Sequence, residues 1–571
     1  MRKNGITLIA LVITVIVLLI LAGVALSTFS SQDGLLTKVN LAQEEYTKTV
    51  DEETMIFEDV NSMFFQSEDK WNGEVAEGFA GGTGKQQDPY IITNAAELAY
   101  LAQCVNTKTS TFAGEYIEIT KDINLSGHEW VGIGYDETGT LIDNANNIKF
   151  AGNLNGNNYC IHGMTMIREE KTGSGLFGVN WGTISNLKIK YMHTKAWNTA
   201  GGLTAINRGE ISNIVIDRNT VIETAAPETG NYRGRYSGGV ASYNYGNIDN
   251  CVNYGTMITR ESRAGGIVGQ SGGGLISNCT NYGNIKCVYE RQYSEYGCDI
   301  GGVVGYLYHG EIRNSYNYGE VEGKSSVGGI TGVLRTNDTI VSGCKNYGKI
   351  QGNSDIGGIA GELNNGYVKQ STNFGNVEGG TAVGGIAGYQ FNASKIEDST
   401  NNGTVSATKY VVGGVLGYMA AGEVLNCANT GSVESIEVAL MGVAGGVIGY
   451  QGGGTTTNVF NMGPVTVGNS ANRVDTVGGI IGTQTNGTIT TAYNRGILIQ
   501  SPEKEENDKI GGVAGKQTGG TITNAYYYAL EDSGLGGIGV EGEEENEITR
   551  TEDLYNSLDE FTRNHQVAAT N

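Results

Sequence analysis

Short runs of alternating apolar and polar residues fill most of this chain, and each run closes on glycine or asparagine. Alternation with a two-residue period predicts short strands joined by turns, and none of these runs is long enough for a helix. The runs keep phase with a recurring GG-x-x-G. It reads GGVAS from Gly238, GGIVG from Gly265, GGVVG from Gly301, GGITG from Gly328 and GGIAG from both Gly357 and Gly384. It continues as GGVLG from Gly413, GGVIG from Gly445, GGIIG from Gly478 and GGVAG from Gly511, with weaker copies at Gly201 and Ser174. The shortest spacing is 27 residues, and longer spacings carry insertions. A period in this range predicts a stacked solenoid, because no single unit can bury its own apolar face. Doubled glycines suit positive-φ corners and close approach of stacked backbones.

A second landmark follows each glycine pair: CVNYG at Cys251, CTNYG at Cys279, SYNYG at Ser315, CKNYG at Cys344, STNFG at Ser371, STNNG at Ser399, CANTG at Cys427, VFNMG at Val459 and AYNRG at Ala492. Stacking coils at the strand spacing of about 4.8 Å turns its asparagines into a column. Asn253, Asn281, Asn317, Asn346, Asn373, Asn401, Asn429, Asn461 and Asn494 are therefore expected to form a structural amide ladder. Tyr254, Tyr282, Tyr318, Tyr347 and Phe374 form the next column, either a stabilising stack or a stripe that binds sugar or peptide. Cys251, Cys279, Cys344 and Cys427 share a slot with Ser315, Ser371, Ser399, Val459 and Ala492, so that slot takes a small inward residue.

The unit GGIVGQSGGGLISNCTNYGNI (Gly265 to Ile285) resembles the GLUG repeat of bacterial surface proteins. GGTGKQQDPYIITNAAELAYLA from Gly81, FAGEYIEITKDINL from Phe112 and FAGNLNGNNYCIHGM from Phe150 resemble the start of such domains. The resemblance implies a right-handed parallel β-helix, here of about 12 coils. It says little about biochemical function, because such repeats scaffold several kinds of protein.

Hydropathy adds a different element at the start. Ile6 to Leu26 carry no charge and are long enough as a helix to cross a bilayer, and Arg2 and Lys3 precede them. That arrangement keeps the N-terminus cytoplasmic and the rest outside. K-N-G followed by I-T-L-I and an aliphatic run resembles the type IV prepilin leader. The resemblance implies cleavage after Gly5 by a prepilin peptidase and N-methylation of Ile6. Ala10 stands where pilins usually carry glutamate, which favours an anchored protein or minor component over a polymerising major pilin.

The expected organisation is a leader (1–5), transmembrane helix (6–30), helical stalk (31–65), linker (66–85), N-terminal cap and first coils (86–173), GLUG-type repeats (174–530) and an acidic C-terminal segment with a short capping helix (531–571). The expected location is the bacterial cell membrane, with one span and the bulk of the chain at the cell surface.

Charge narrows the partners. A net charge of −23 argues against nucleic acid and anionic headgroups. No metal-ligand spacing, phosphate loop or nucleophile motif is present, so no cofactor, metal or enzymatic activity is expected. Asp299, Asp355 and Asp508 precede glycine pairs but belong to non-adjacent units, and they read as isolated solvent-facing carboxylates. Cys287 and Cys298 flank an insertion and are placed to close it with a disulfide.

Two insertions, near residues 223–237 and 286–299, are the candidate recognition loops. They hold Tyr232, Arg233, Arg235, Tyr236, Tyr289, Arg291, Tyr293 and Tyr296, residue types favoured at binding hot spots. The reading is a membrane-anchored surface solenoid for adhesion or envelope interaction, its ligand a glycan or protein. The alternative is a carbohydrate-active β-helix enzyme, a polysaccharide lyase or hydrolase. It requires three or more carboxylates, or carboxylates with Lys/Arg, to meet in one groove across adjacent coils.

Overall fold

Stacking the 27-residue units buries their apolar residues, and the result is a parallel β-solenoid. The computed structural model describes residues 70–136, 148–169, 172–224, 235–260, 263–288, 298–436, 442–467, 476–500, 509–529, 535–540 and 546–551. All of these belong to the unit Asp69–Leu558. Three sheets run along it, one of 36 strands and two of 12. A single coil shows the plan. Ile300–Gly301 lies on one 12-stranded sheet, Val304–Arg313 and Tyr316–Asn317 on the large sheet, and Val321–Glu322 on the other 12-stranded sheet. Pairing between coils is parallel and in phase, so Gly301 sits on Gly328, Gly328 on Gly357, and Gly357 on Gly384.

Each glycine of the motif meets a different obstruction. A Cβ on the first, as at Gly301, would strike the carbonyl of Val304 across the corner. On the second, as at Gly302, it would overlap the Asn317 amide. On the third, as at Gly305, it would lie 2.7 Å from the backbone nitrogen of Ala264 in the preceding coil. None of the described glycine pairs of the GG-x-x-G motif has positive φ. Space, rather than the freedom to form left-handed corners, is what the motif supplies. The left-handed corners fall on Asn250, Asn278, Asn314, Asn426 and Asn458, just before the small slot. Asparagine tolerates that conformation better than most side chains do.

The amide column is continuous. Asn253 donates to Asn281 at 2.9 Å, and the same bond repeats through Asn317, Asn346, Asn373, Asn401, Asn429 and Asn461 to Asn494. Each of these amides also donates to the carbonyl two residues on, as Asn317 does to Gly319 at 2.9 Å. The residues are almost fully buried, so these bonds satisfy groups that would otherwise be costly to bury. The small slot is buried throughout, from Cys251 to Ala492.

At the N-terminal end, the helix Ala95–Asn106 packs Leu98, Leu101, Ala102 and Val105 into the core. Asn94 caps it by accepting from the Glu97 backbone N–H at 3.1 Å, and Glu97 accepts in return from the Thr93 N–H at 2.6 Å. Among the described residues, no helix is long and apolar enough to cross a membrane. The leader with Gly5 and Ile6, the expected span and stalk, and the expected C-terminal capping helix lie outside the described residues.

Candidate functional site

The corner made by GG-x-x-G brings two outward columns face to face, one on each wall. The residue two before the first glycine stands on the first wall: Tyr236, Arg263, Asp299, Ser326, Asp355 and Ala382. The residue after the last glycine stands on the second: Tyr243, Gln270, Tyr306, Val333, Glu362, Tyr389, Tyr418 and Tyr450. Side chains touch across the corner. The Tyr236 ring meets Tyr243 edge-on at 5.1 Å, and Arg263 Nη1 donates to Gln270 Oε1. Gln270 then donates to the Tyr243 hydroxyl at 3.0 Å.

Arg263 organises the middle of this groove. Its Nε donates to Asp299 Oδ2 at 2.9 Å, and its guanidinium lies 3.7 Å above the Tyr306 ring. Further along, Tyr389 stacks on Tyr418 at 5.1 Å, and Tyr418 on Tyr450 at 4.7 Å. Tyr306 therefore has one face covered by Arg263, and Tyr389 has one covered by Tyr418. Between them in the same column stand Val333, which is buried, and Glu362, so the two rings are three strand spacings or roughly 14 Å apart. Ser326 and Ala382 keep the first wall low on both sides of Asp355, and Arg335 stands at the rim.

Three carboxylates lie along this stretch of the corner. Asp299, Asp355 and Glu362 are partly buried and near enough to influence one another. Burial, then the charges of Asp299 and Asp355, push the Glu362 carboxyl up to about 7, against an opposing pull from Arg335. Burial alone pushes Asp355 up to about 6. Asp299 is raised by burial and pulled back by Arg263. The expectation of isolated, solvent-facing carboxylates is thus corrected for Asp299 and Asp355. Glu362 stands near enough to both to feel their charges, and the parallel stacking leaves Asp299 and Asp355 two coils apart. Asp508 lies outside the described residues.

Of the eight loop residues, only Arg235 and Tyr236 are described. Arg235 is buried at 2% exposure, and Tyr236 lines the groove. Tyr232, Arg233, Tyr289, Arg291, Tyr293 and Tyr296 lie outside the described residues. Cys287 and Cys298 are joined by a disulfide, and Cys298 directly precedes Asp299. The column from Tyr254 to Phe374 is a flush stack, with ring centroids 4.7–4.9 Å apart and planes within 13°. Its inner rings have both faces covered by their neighbours, so no sugar face can stack on them; the column acts as a stabilising ladder. Among the described residues, no group of three or more His, Cys, Asp or Glu is placed to hold a metal ion.

Residues 379–406 match the family model described as the GLUG motif. The matched unit contributes Ala382 and Tyr389 to the groove and Asn401 to the amide ladder. A protein of Evansella cellulosilytica named as a Gly-rich membrane protein is 32% identical over 145 residues, covering 24% of this chain and 16% of that protein. The chain thus matches under a fifth of that relative's length. A solved structure titled as an immunoglobulin A1 protease from Bacteroides ovatus aligns over 77% of this chain and 86% of its own, at 16% identity and a TM-score of 0.21. A likeness that weak carries neither fold nor function across.

Proposed function

We propose that this chain is a membrane-anchored, surface-displayed right-handed β-helix that binds a glycan in the corner groove, as an adhesin does. The aromatic column along this corner carries the reading, with Tyr306 beneath Arg263 and Tyr389 stacked in line with Tyr418 and Tyr450. Aromatic faces accept the apolar faces of pyranose rings, while arginine groups beside them donate hydrogen bonds to hydroxyls and carboxylates accept them. The GLUG unit at residues 379–406 and the membrane protein among the relatives agree with surface display. A disulfide between Cys287 and Cys298 suits an oxidising compartment outside the cytoplasm. The prepilin-like start completes the reading, with Gly5 as the cleavage point, Ile6 as the methylated residue and the protein a minor pilin-like component.

Two measurements test this. Full-length protein is titrated with soluble xylan, laminarin, polygalacturonate and hyaluronate, beside Tyr306→Ala and Tyr389→Ala variants. Binding to at least one polysaccharide, weakened about tenfold or more by each variant, is expected. Equal binding by all three proteins would remove the groove from the account. Mass spectrometry of the mature N-terminus tests the anchor, and an intact Met1 would exclude prepilin processing.

A further inference from the structure

We propose that Cys251 and Cys279 form a second disulfide, one that bolts two neighbouring coils together. The proposal stands apart from the glycan-binding reading and shares with it only an oxidising location. The two residues fill the small slot in consecutive coils. Asp249 pairs with Ser277 on one side of them and Val252 with Thr280 on the other, so Cys251 and Cys279 lie directly opposite one another. The Thr280 N–H donates to the Cys251 carbonyl at 2.9 Å and ties the two backbones together at this point. Coils in register stand about 4.8 Å apart, inside the roughly 4.4–6.8 Å that separates the Cα atoms of a disulfide. Both side chains are buried in the core, so a modest approach of the two Cβ atoms brings the sulfurs into bonding range.

In the structure both are free, buried thiols. Each donates to the carbonyl two residues back, Cys251 to Asp249 at 3.3 Å and Cys279 to Ser277 at 3.1 Å. The Cys279 sulfur also lies 3.9 Å from the carbonyl oxygen of Ile248, in the coil of Cys251. Losing these S–H bonds costs little, because a thiol is a weak donor and the Ser277 carbonyl keeps the Asn250 N–H at 3.1 Å. The other cysteines of the column have no cysteine beside them. Cys344 stacks between Ser315 and Ser371, and Cys427 between Ser399 and Val459. Serine serves the same slot at Ser315, Ser371 and Ser399, so filling the slot does not require the pair.

Cys287 follows Cys279 in the same coil, and its bond to Cys298 suits a compartment that oxidises thiols. The new bond forms by exchange with a disulfide-bearing oxidant. One cysteine thiolate attacks the oxidant's disulfide and expels a thiolate. The other cysteine then attacks the mixed disulfide, makes the bond between Cys251 and Cys279, and expels the second thiolate. Two cysteine thiols lose two protons and two electrons, and the oxidant's disulfide becomes two thiols. Burial, reinforced by the neighbouring Cys279 thiol, pushes the Cys251 thiol well above its ordinary range. The attack therefore belongs to folding, before the coil closes. Once closed, the coil shields the bond from reductants, which makes it a lock. It joins the rung of Tyr236 and Tyr243 to the rung of Arg263 and Gln270, where the groove begins.

The test uses the full-length chain, produced in cells with an oxidising cytoplasm, unfolded in iodoacetamide without reductant, digested and read by mass spectrometry. Cys251 and Cys279 should escape alkylation and appear as one cross-linked pair of peptides, two hydrogens lighter than their sum. Cys344 and Cys427 should carry no link within the chain. Alkylated Cys251 and Cys279 overturn the proposal, as does a link from either to any other cysteine. The double variant Cys251→Ser/Ser315→Cys tests register, because position 315 stacks on Cys279 from the other side and serine already fits the slot. The bond should move to join Cys279 with position 315, and its absence overturns register as the cause. Dithiothreitol should lower the urea midpoint of wild type more than that of Cys251→Ser. An equal fall overturns the bolt.

Discussion

At the residue scale, the electrostatic cost of the groove gives its own signature. Asp355 and Glu362 hold their protons to about 6 and about 7 in the folded chain, above the ordinary carboxylate range. The folded state then binds more protons than the unfolded state between pH ~4 and ~7, so stability falls as pH rises through that window and levels off above it. Glu362→Gln removes part of this slope. By chemical denaturation it should be more stable than wild type at pH 8 by ~1–2 kcal/mol, after allowing for solvent screening, and no more stable at pH 4. A variant with the wild-type slope would show that the carboxyl is solvated rather than buried.

At the scale of the element, whatever repeats with the coil was legible in the sequence. The asparagines from Asn253 to Asn494, the small slot from Cys251 to Ala492 and the stack from Tyr254 to Phe374 recur at one place in each unit. Recurrence at a fixed place becomes contact once coils stack. The groove escaped that logic because its chemistry does not recur. Arg263, Asp299, Asp355 and Glu362 come from three coils and hold the same two positions as tyrosines and small residues elsewhere. Aligning the residue after each GG-x-x-G as a column of its own exposes Tyr306, Glu362, Tyr389, Tyr418 and Tyr450 together.

A third column shows how such elements fail. Gln390, Met419, Gln451, Gln484 and Gln517 stack inside the large sheet, and Gln517 donates to Gln484 at 3.0 Å. Met419 interrupts this column and leaves Gln390 Oε1 buried without a partner. Met419→Gln supplies the missing donor and should raise the unfolding midpoint, by ~1 kcal/mol of stability. A lower midpoint would mean that the site is too tight for a second amide.

At the scale of the whole molecule, the solenoid from Tyr90 to Thr551 has neighbours on both sides of every inner coil and on one side of each end coil. Its stability is then close to a sum of coil and interface contributions. Amide hydrogen exchange should therefore show protection rising from Tyr90–Ile92 and Ile548–Thr551 towards the coils around Gly357, with the groove in the most protected stretch. Uniform protection would instead mark one cooperative unit and a site whose rigidity depends on distant coils.

The in-phase stacking of Gly301, Gly328, Gly357 and Gly384 has one more consequence. Sequence and space are geared together here: copying one repeat inserts one rung and moves everything beyond it along the axis by a single strand spacing, with no strand losing its place. The distance between Tyr306 and Tyr389 is therefore quantised, and a lineage of such proteins can fit longer or shorter ligands by counting rungs instead of reshaping walls.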